Sequence, residues 1–165
     1  MASPYDETGA VSQSLVKVVR QVGELKETGL PEPNLGENLS DLHNRLLVTR
    51  AHQTTVTAHI GNLIRLRAGV RKKRMDLQGA LEGAEAAAVT EKRWTTEDYS
   101  SAKEKNALLA SKTLQERIDL RAIEKLNEDV EAALAYARTI HTELGAQVQD
   151  VNSRLRILTL EANLG

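Results

Sequence analysis

The 165-residue chain contains no cysteine and no phenylalanine, and its aromatic residues amount to 2%. Without cysteine there is no disulfide, no thiol nucleophile and no Cys-ligated zinc, and the redox compartment stays open. Without large aromatic side chains, core burial falls to Leu, Val, Ile and Ala. That composition suits helix packed on helix and argues against a sandwich, a barrel or a dinucleotide-binding α/β domain. Proline occurs only at Pro4, Pro31 and Pro33, so everything beyond Pro33 is free of the strongest helix breaker. No apolar run approaches about 18 residues and no basic-then-apolar N-terminus is present, so neither a membrane span nor a signal peptide is predicted.

What is present is helical periodicity. Val11, Leu15, Val18, Val22 and Leu25 recur at spacings of 4, 3, 4 and 3, which predicts an amphipathic helix over about 11–28. Gly29 and Leu30-Pro31-Glu32-Pro33-Asn34 then signal a turn or short linker. From Leu39 a heptad register runs through Leu42, Leu46, Thr49, Gln53, Val56, Ile60, Leu63, Arg67, Val70, Arg74, Leu77, Leu81, Ala84 and Ala88 without slipping. Gly61, Gly69, Gly79 and Gly83 interrupt it and mark bends or close backbone approach. Thr95-Thr96-Glu97-Asp98 and Ser101-Ala102-Lys103-Glu104 read as capping boxes. A second register then passes from Ala102 through Asn106, Leu109, Thr113, Glu116, Leu120, Ile123, Asn127, Val130, Leu134, Ala137, His141, Leu144, Val148, Val151, Leu155, Leu158 and Ala162. Leu126, Ala133 and Ile140 widen its apolar face beyond a two-stranded seam, which implies more than one partner helix.

The predicted fold is therefore all-α: a long antiparallel helical hairpin or coiled coil (about 38–90 and 97–163) with a short N-terminal helix. Residues 1–36 are expected to form a flexible N-terminus, the short helix and the proline-containing linker, and residues 37–165 the hairpin domain. Elongated helices bury their own surface poorly, so a homo-oligomer or an obligate partner helix is expected.

Nothing in the pattern favours catalysis, and the chain is read as non-enzymatic with no cofactor and no metal site. It has no Gly-rich phosphate loop and no Gly-x-Ser-x-Gly. His52 and His59 are seven residues apart, too far to share one metal ion; His43 is read as structural, and His141 with Asn127 as register-setting polar residues in the seam. The carboxylates Glu124, Glu128, Asp129 and Glu131 alternate with Arg121 and Lys125 and read as a solvated helix face.

Charge is the informative feature. The net charge is -1, but residues 41–81 carry +6 between two acidic arms. Within the basic middle, Arg65, Arg67, Arg71, Lys72, Lys73 and Arg74 place six cations in ten residues, with no acid until Asp76. Lys92 and Arg93 follow in the connection, beside Trp94 and Tyr99. One reading is a phosphate-binding surface for nucleic acid, with an aromatic ring stacking on a base. The other is a charged face that pairs with acidic residues of the second rod. Arg67 and Arg74 fall on seam stations, where a buried unpaired charge is costly, so the seam there is open, acid-paired or relieved by snorkelling.

This order of parts resembles phage recombination mediators of the UvsY type: a helical rod with a Lys/Arg-rich stretch (Arg65 to Arg74), a second helical section with Ser/Ala-x-x-Glu near its start (Tyr99 to Glu104), and a C-terminal amphipathic helix (Val148 to Leu164). The resemblance covers roughly residues 55–165. Asp76-Leu77-Gln78-Gly79 stands where that family has an aromatic-rich stretch, and its Arg-Gly-type turn in the last helical section is missing. The resemblance implies single-stranded DNA binding, oligomers, and loading of a recombinase onto covered DNA in the host cytoplasm. The alternative is a structural or interaction protein, a virion component or a coiled-coil adaptor that binds a partner protein.

Overall fold

A computed structural model describes residues 4–27, 38–91 and 102–164. Among the described residues 98% are helical and none lies in a strand, so the fold is all-α. The order is α1 (Pro4–Glu27), α2 (Leu39–Glu91), α3 (Ala102–Lys112) and α4 (Leu114–Leu164). The two long helices α2 and α4 pack against each other as a hairpin, as the two heptad registers predict. The Pro31 to Pro33 turn and the capping motifs that begin at Thr95 and Ser101 lie outside the described residues.

The helix ends follow from local chemistry. α1 begins at Pro4 rather than near residue 11. Proline loses nothing at a first helical position, where its missing N–H would have no partner anyway. At the start of α2, Asn38 Oδ1 accepts a hydrogen bond from the Asp41 amide at 2.9 Å, and Asp41 Oδ2 accepts the Asn38 amide at 3.4 Å. This reciprocal pair satisfies amides that the first turn leaves without partners.

Apolar spacing predicts one helix across residue 113, whereas the structure divides it into α3 and α4 at Thr113. The Thr113 hydroxyl is fully buried and donates to the Leu109 carbonyl at 2.8 Å. Such back-bonding bends a helix locally. The backbone ladder continues across it, from the Thr113 amide to the Leu109 carbonyl at 3.0 Å and from the Arg117 amide to the Thr113 carbonyl at 3.1 Å.

The chain divides into two compact units. One comprises Met1–Ser12 and Leu66–Asp129, the other Gln13–Arg65 and Val130–Gly165; we call the first the basic unit, for the cations at 67–74 and not for its net charge, which is -1, and the second the apolar unit. In the apolar unit Leu42, Leu46 and Val151 form a buried cluster, with Val148, Leu155 and Leu158 packed on it. Val56, Leu63, Leu134 and Ile140 are fully buried beyond it. Each such side chain contributes about 1.5–3 kcal/mol by leaving water. α1 supplies a third helix, with Leu15 and Val22 buried. A Cβ added at Gly23 would lie 3.5 Å from the Tyr136 hydroxyl, so α1 sits against α4. Buried Ala133 and Ile140 belong to the widened face that the sequence singles out.

Among the described residues of the basic unit the buried apolar ones are Val70, Ala88, Ile123 and Leu126. Arg117 makes the principal polar link there. Its Nε donates to the Thr113 hydroxyl at 3.0 Å, and its guanidinium donates to Glu85 Oε1 at 2.6 Å. The four glycines of α2 do not mark close backbone approach: a Cβ at Gly61, Gly69, Gly79 or Gly83 would meet nothing within 4 Å.

Candidate nucleic-acid interface

The basic run lies on the continuous helix α2. At 100° per residue, Arg67, Arg71 and Arg74 share one stripe that rises about 10 Å, and Arg65 and Lys72 share a second. Arg71, Lys72 and Arg74 are exposed in the basic unit, and Arg65, the last residue of this stretch of the apolar unit, is exposed too. Arg67 and Lys73 are half-buried. Arg67, Arg71 and Lys73 each have an interaction partner within the chain. The two arginines on seam stations thus behave differently. Arg67 is held in the seam with a partner, whereas the seam is open at Arg74, which is exposed. Lys92, Arg93, Trp94 and Tyr99 lie outside the described residues.

The surroundings of the run are one-signed along α2. Between Asp41 and Asp76 the helix carries no carboxylate. A cluster of cations without a neighbouring carboxylate on its own helix attracts a polyanion over about 10 Å at ordinary salt. On the facing helix of the basic unit, counting back along antiparallel rods from the Glu85–Arg117 pair brings Arg74 level with Glu128. Acidic side chains are therefore within the same register.

The histidines do not assemble a metal site. His43 is exposed, and His52, His59 and His141 are half-buried. The Nδ1 atoms of His52 and His59 are buried without a hydrogen-bond partner. Among the described residues no group of three His, Asp or Glu could hold a metal ion. Asn127, read as a register-setting residue, is half-buried in the seam with its Oδ1 unpartnered. The groove along the last turns of α4, lined by Asn152, Leu155, Arg156, Thr159 and Leu160, is walled by that helix alone.

Two functional-looking features escape sequence reasoning. The Glu85–Arg117–Thr113 link joins residues 32 positions apart in the chain, and no local spacing announces it. The Asn38/Asp41 cap had a readable signal, an Asn followed three residues later by an acid before an apolar run. No helix among the described residues is long and apolar enough to cross a membrane. Compared with protein-family models, curated proteins and solved structures, the chain matches none of them.

Proposed function

We propose that the protein is a non-enzymatic accessory protein that holds the phosphate backbone of DNA along α2 without reading its sequence. The observation that carries this reading is the exposure of Arg65, Arg71, Lys72 and Arg74 on a helix that carries no carboxylate between Asp41 and Asp76. Cations so placed neutralise phosphates and release counterions, which is the main source of sequence-independent affinity. The near absence of aromatics favours charge over base stacking as the source of binding. The narrower role, loading a recombinase onto single-stranded DNA in the cytoplasm, rests on the resemblance in layout to the UvsY-type mediators. Self-association into a homo-oligomer belongs to the same reading and would multiply the contacts along one strand.

A salt-resolved binding assay with unrelated single-stranded oligonucleotides tests it. Three or four cations facing one strand give a slope of log affinity against log salt of about -2 to -3. Arg71→Gln with Lys72→Gln and Lys73→Gln should weaken binding and flatten that slope while the helix is kept, because Gln is a good helix former. Absence of binding at about 50 mM salt, where counterion release is strongest, would remove the reading.

One observation favours a second reading, a structural or interaction protein that works through its coiled coil. Arg67, Arg71 and Lys73 already have partners within the chain, so part of the run serves the fold. Under that reading the triple Gln variant loses thermal stability and shows no change in DNA binding.

A further inference from the structure

The side of α2 turned away from the hairpin seam is unlike an ordinary solvated helix face. Asn44, Val48, Ala51, Thr55, Ala58 and Asn62 are all exposed. They recur at spacings of 4, 3, 4, 3 and 4, so they form one straight stripe about 190° around the axis from the seam. None is charged. Arg50, an exposed charge beside them, lies about 120° around the helix from the stripe. Exposed Leu47 borders it. The Thr55 hydroxyl donates to the Ala51 carbonyl at 3.0 Å, and that of neighbouring Thr54 to the Arg50 carbonyl at 2.9 Å. Both therefore present methyl groups outward and require nothing from whatever covers them.

We infer that this stripe is where a second copy of the chain packs, α2 against α2, with the two helices antiparallel. The occupant follows from the spacing of the stripe, which is symmetric about Gln53 and ends in Asn at both Asn44 and Asn62, and from the opposite charges of Asp41 and Arg65 just beyond it. An antiparallel two-fold axis there sets Ala51 against Thr55 of the second copy and Val48 against its Ala58. Asn44 meets the second copy's Asn62, where two amides can pair and fix the register. One turn further out, at both ends, Asp41 comes opposite Arg65 of the second copy; both are exposed in the single chain, and in the dimer the phosphate contacts then fall to Arg71, Lys72 and Arg74. A parallel pairing would instead set Asp41 against Asp41 and Arg65 against Arg65. The contact from Asp41 to Arg65 runs about 36 Å along the helix. It buries on the order of 1,000 Å² over both copies, the threshold for a specific interface. Ala51 and Ala58 at its centre allow the two backbones to approach closely. The inference rests on the homo-oligomer part of the proposed function and names its surface and orientation.

The absence of cysteine makes the test clean. Chains carrying Val48→Cys and chains carrying Ala58→Cys are oxidised separately and as a mixture. In the antiparallel pair like positions are about 15 Å apart, so disulfide-linked dimers should form in the mixture and be largely absent from either chain alone. Rapid linking of V48C to itself would overturn the antiparallel arrangement. In a second arm, Ala51→Glu with Ala58→Glu should lower the sedimenting mass to that of the single chain with an unchanged helical circular dichroism signal. An oligomer of unchanged mass in that variant would overturn this surface and leave the homo-oligomer reading standing. A wild-type chain that sediments as a monomer at about 100 µM would overturn both; a dimer interface of this size should be populated there. If the double Glu variant fails to fold, the cysteine arm decides alone.

Discussion

The apolar unit and the basic unit are each held together by different means. Of the seventeen buried apolar residues among those described, thirteen lie in the apolar unit and only Val70, Ala88, Ile123 and Leu126 in the basic unit. The basic unit has in addition the Glu85–Arg117 pair, whose side chains are 35% and 42% exposed. An ion pair that open to water adds little stability. The difference teaches that heptad spacing alone does not measure a core. Both units keep the register and both mix apolar with polar stations, but the apolar unit's polar stations, Thr49, Gln53 and His141, are uncharged, whereas the basic unit's include the cations Arg67 and Arg74 beside Thr113 and Asn127. The cations proposed to meet DNA therefore sit mostly on the thinly packed stretch, where a half-buried arginine displaces fewer apolar contacts.

The largest expected effect tests that contrast directly. Leu134→Ala in the apolar unit should cost about 4 kcal/mol, and Ile123→Ala in the basic unit about 2 kcal/mol, because a sparsely packed site relaxes around the lost atoms. Urea unfolding midpoints measure both, and a cost at Ile123 equal to that at Leu134 would break the comparison. Next, Asn127→Leu should raise stability by about 1–2 kcal/mol, since it removes a buried acceptor without a partner and adds apolar area to the poorer core. Destabilisation there would mean that Asn127 has a partner across an oligomer contact.

Smaller gains are expected at the exposed glycines of the basic unit. Gly79→Ala and Gly83→Ala should each stabilise by up to about 1 kcal/mol, because the added Cβ meets nothing within 4 Å. A loss on thermal melting would show that this face is covered in solution. The smallest effect belongs to Glu85→Gln, which keeps the shape and deletes the charge. It should cost less than about 1 kcal/mol, and the difference from wild type should shrink further in high salt.

Most of the fold is legible in the sequence because its driving force is periodic. Of the predicted α2 stations only Leu39 and Arg74 are exposed, and Leu126, Ala133 and Ile140 are buried as their flanking positions require. The early start of α1 was not legible from apolar spacing, because Pro4 signals a helix end through backbone chemistry instead. The interruption at Thr113 was not legible either, since a threonine on a seam station reads as a weak core residue until its hydroxyl finds the Leu109 carbonyl. For the candidate site, the sequence shows six neighbouring cations but not their division. Arg67, Arg71 and Lys73 have partners within the chain, while Arg74 stands exposed on a seam station, and spacing alone does not tell such neighbours apart.

The placement of the two kinds of contact also has a kinetic consequence. Glu85 and Arg117 are 32 residues apart, whereas Leu42 and Val151 are more than one hundred apart. Closing the longer loop costs about 1 kcal/mol more in chain entropy. The contacts that are quickest to reach are thus the weakest, and those that reward closure most are reached last. A hairpin arranged this way does not zip downhill from its connection. Its early encounters are expected to reopen, and committed folding to wait for Leu42, Leu46 and Val151 to meet. The rate-limiting step should therefore respond to substitutions at those three positions and be nearly indifferent to Glu85.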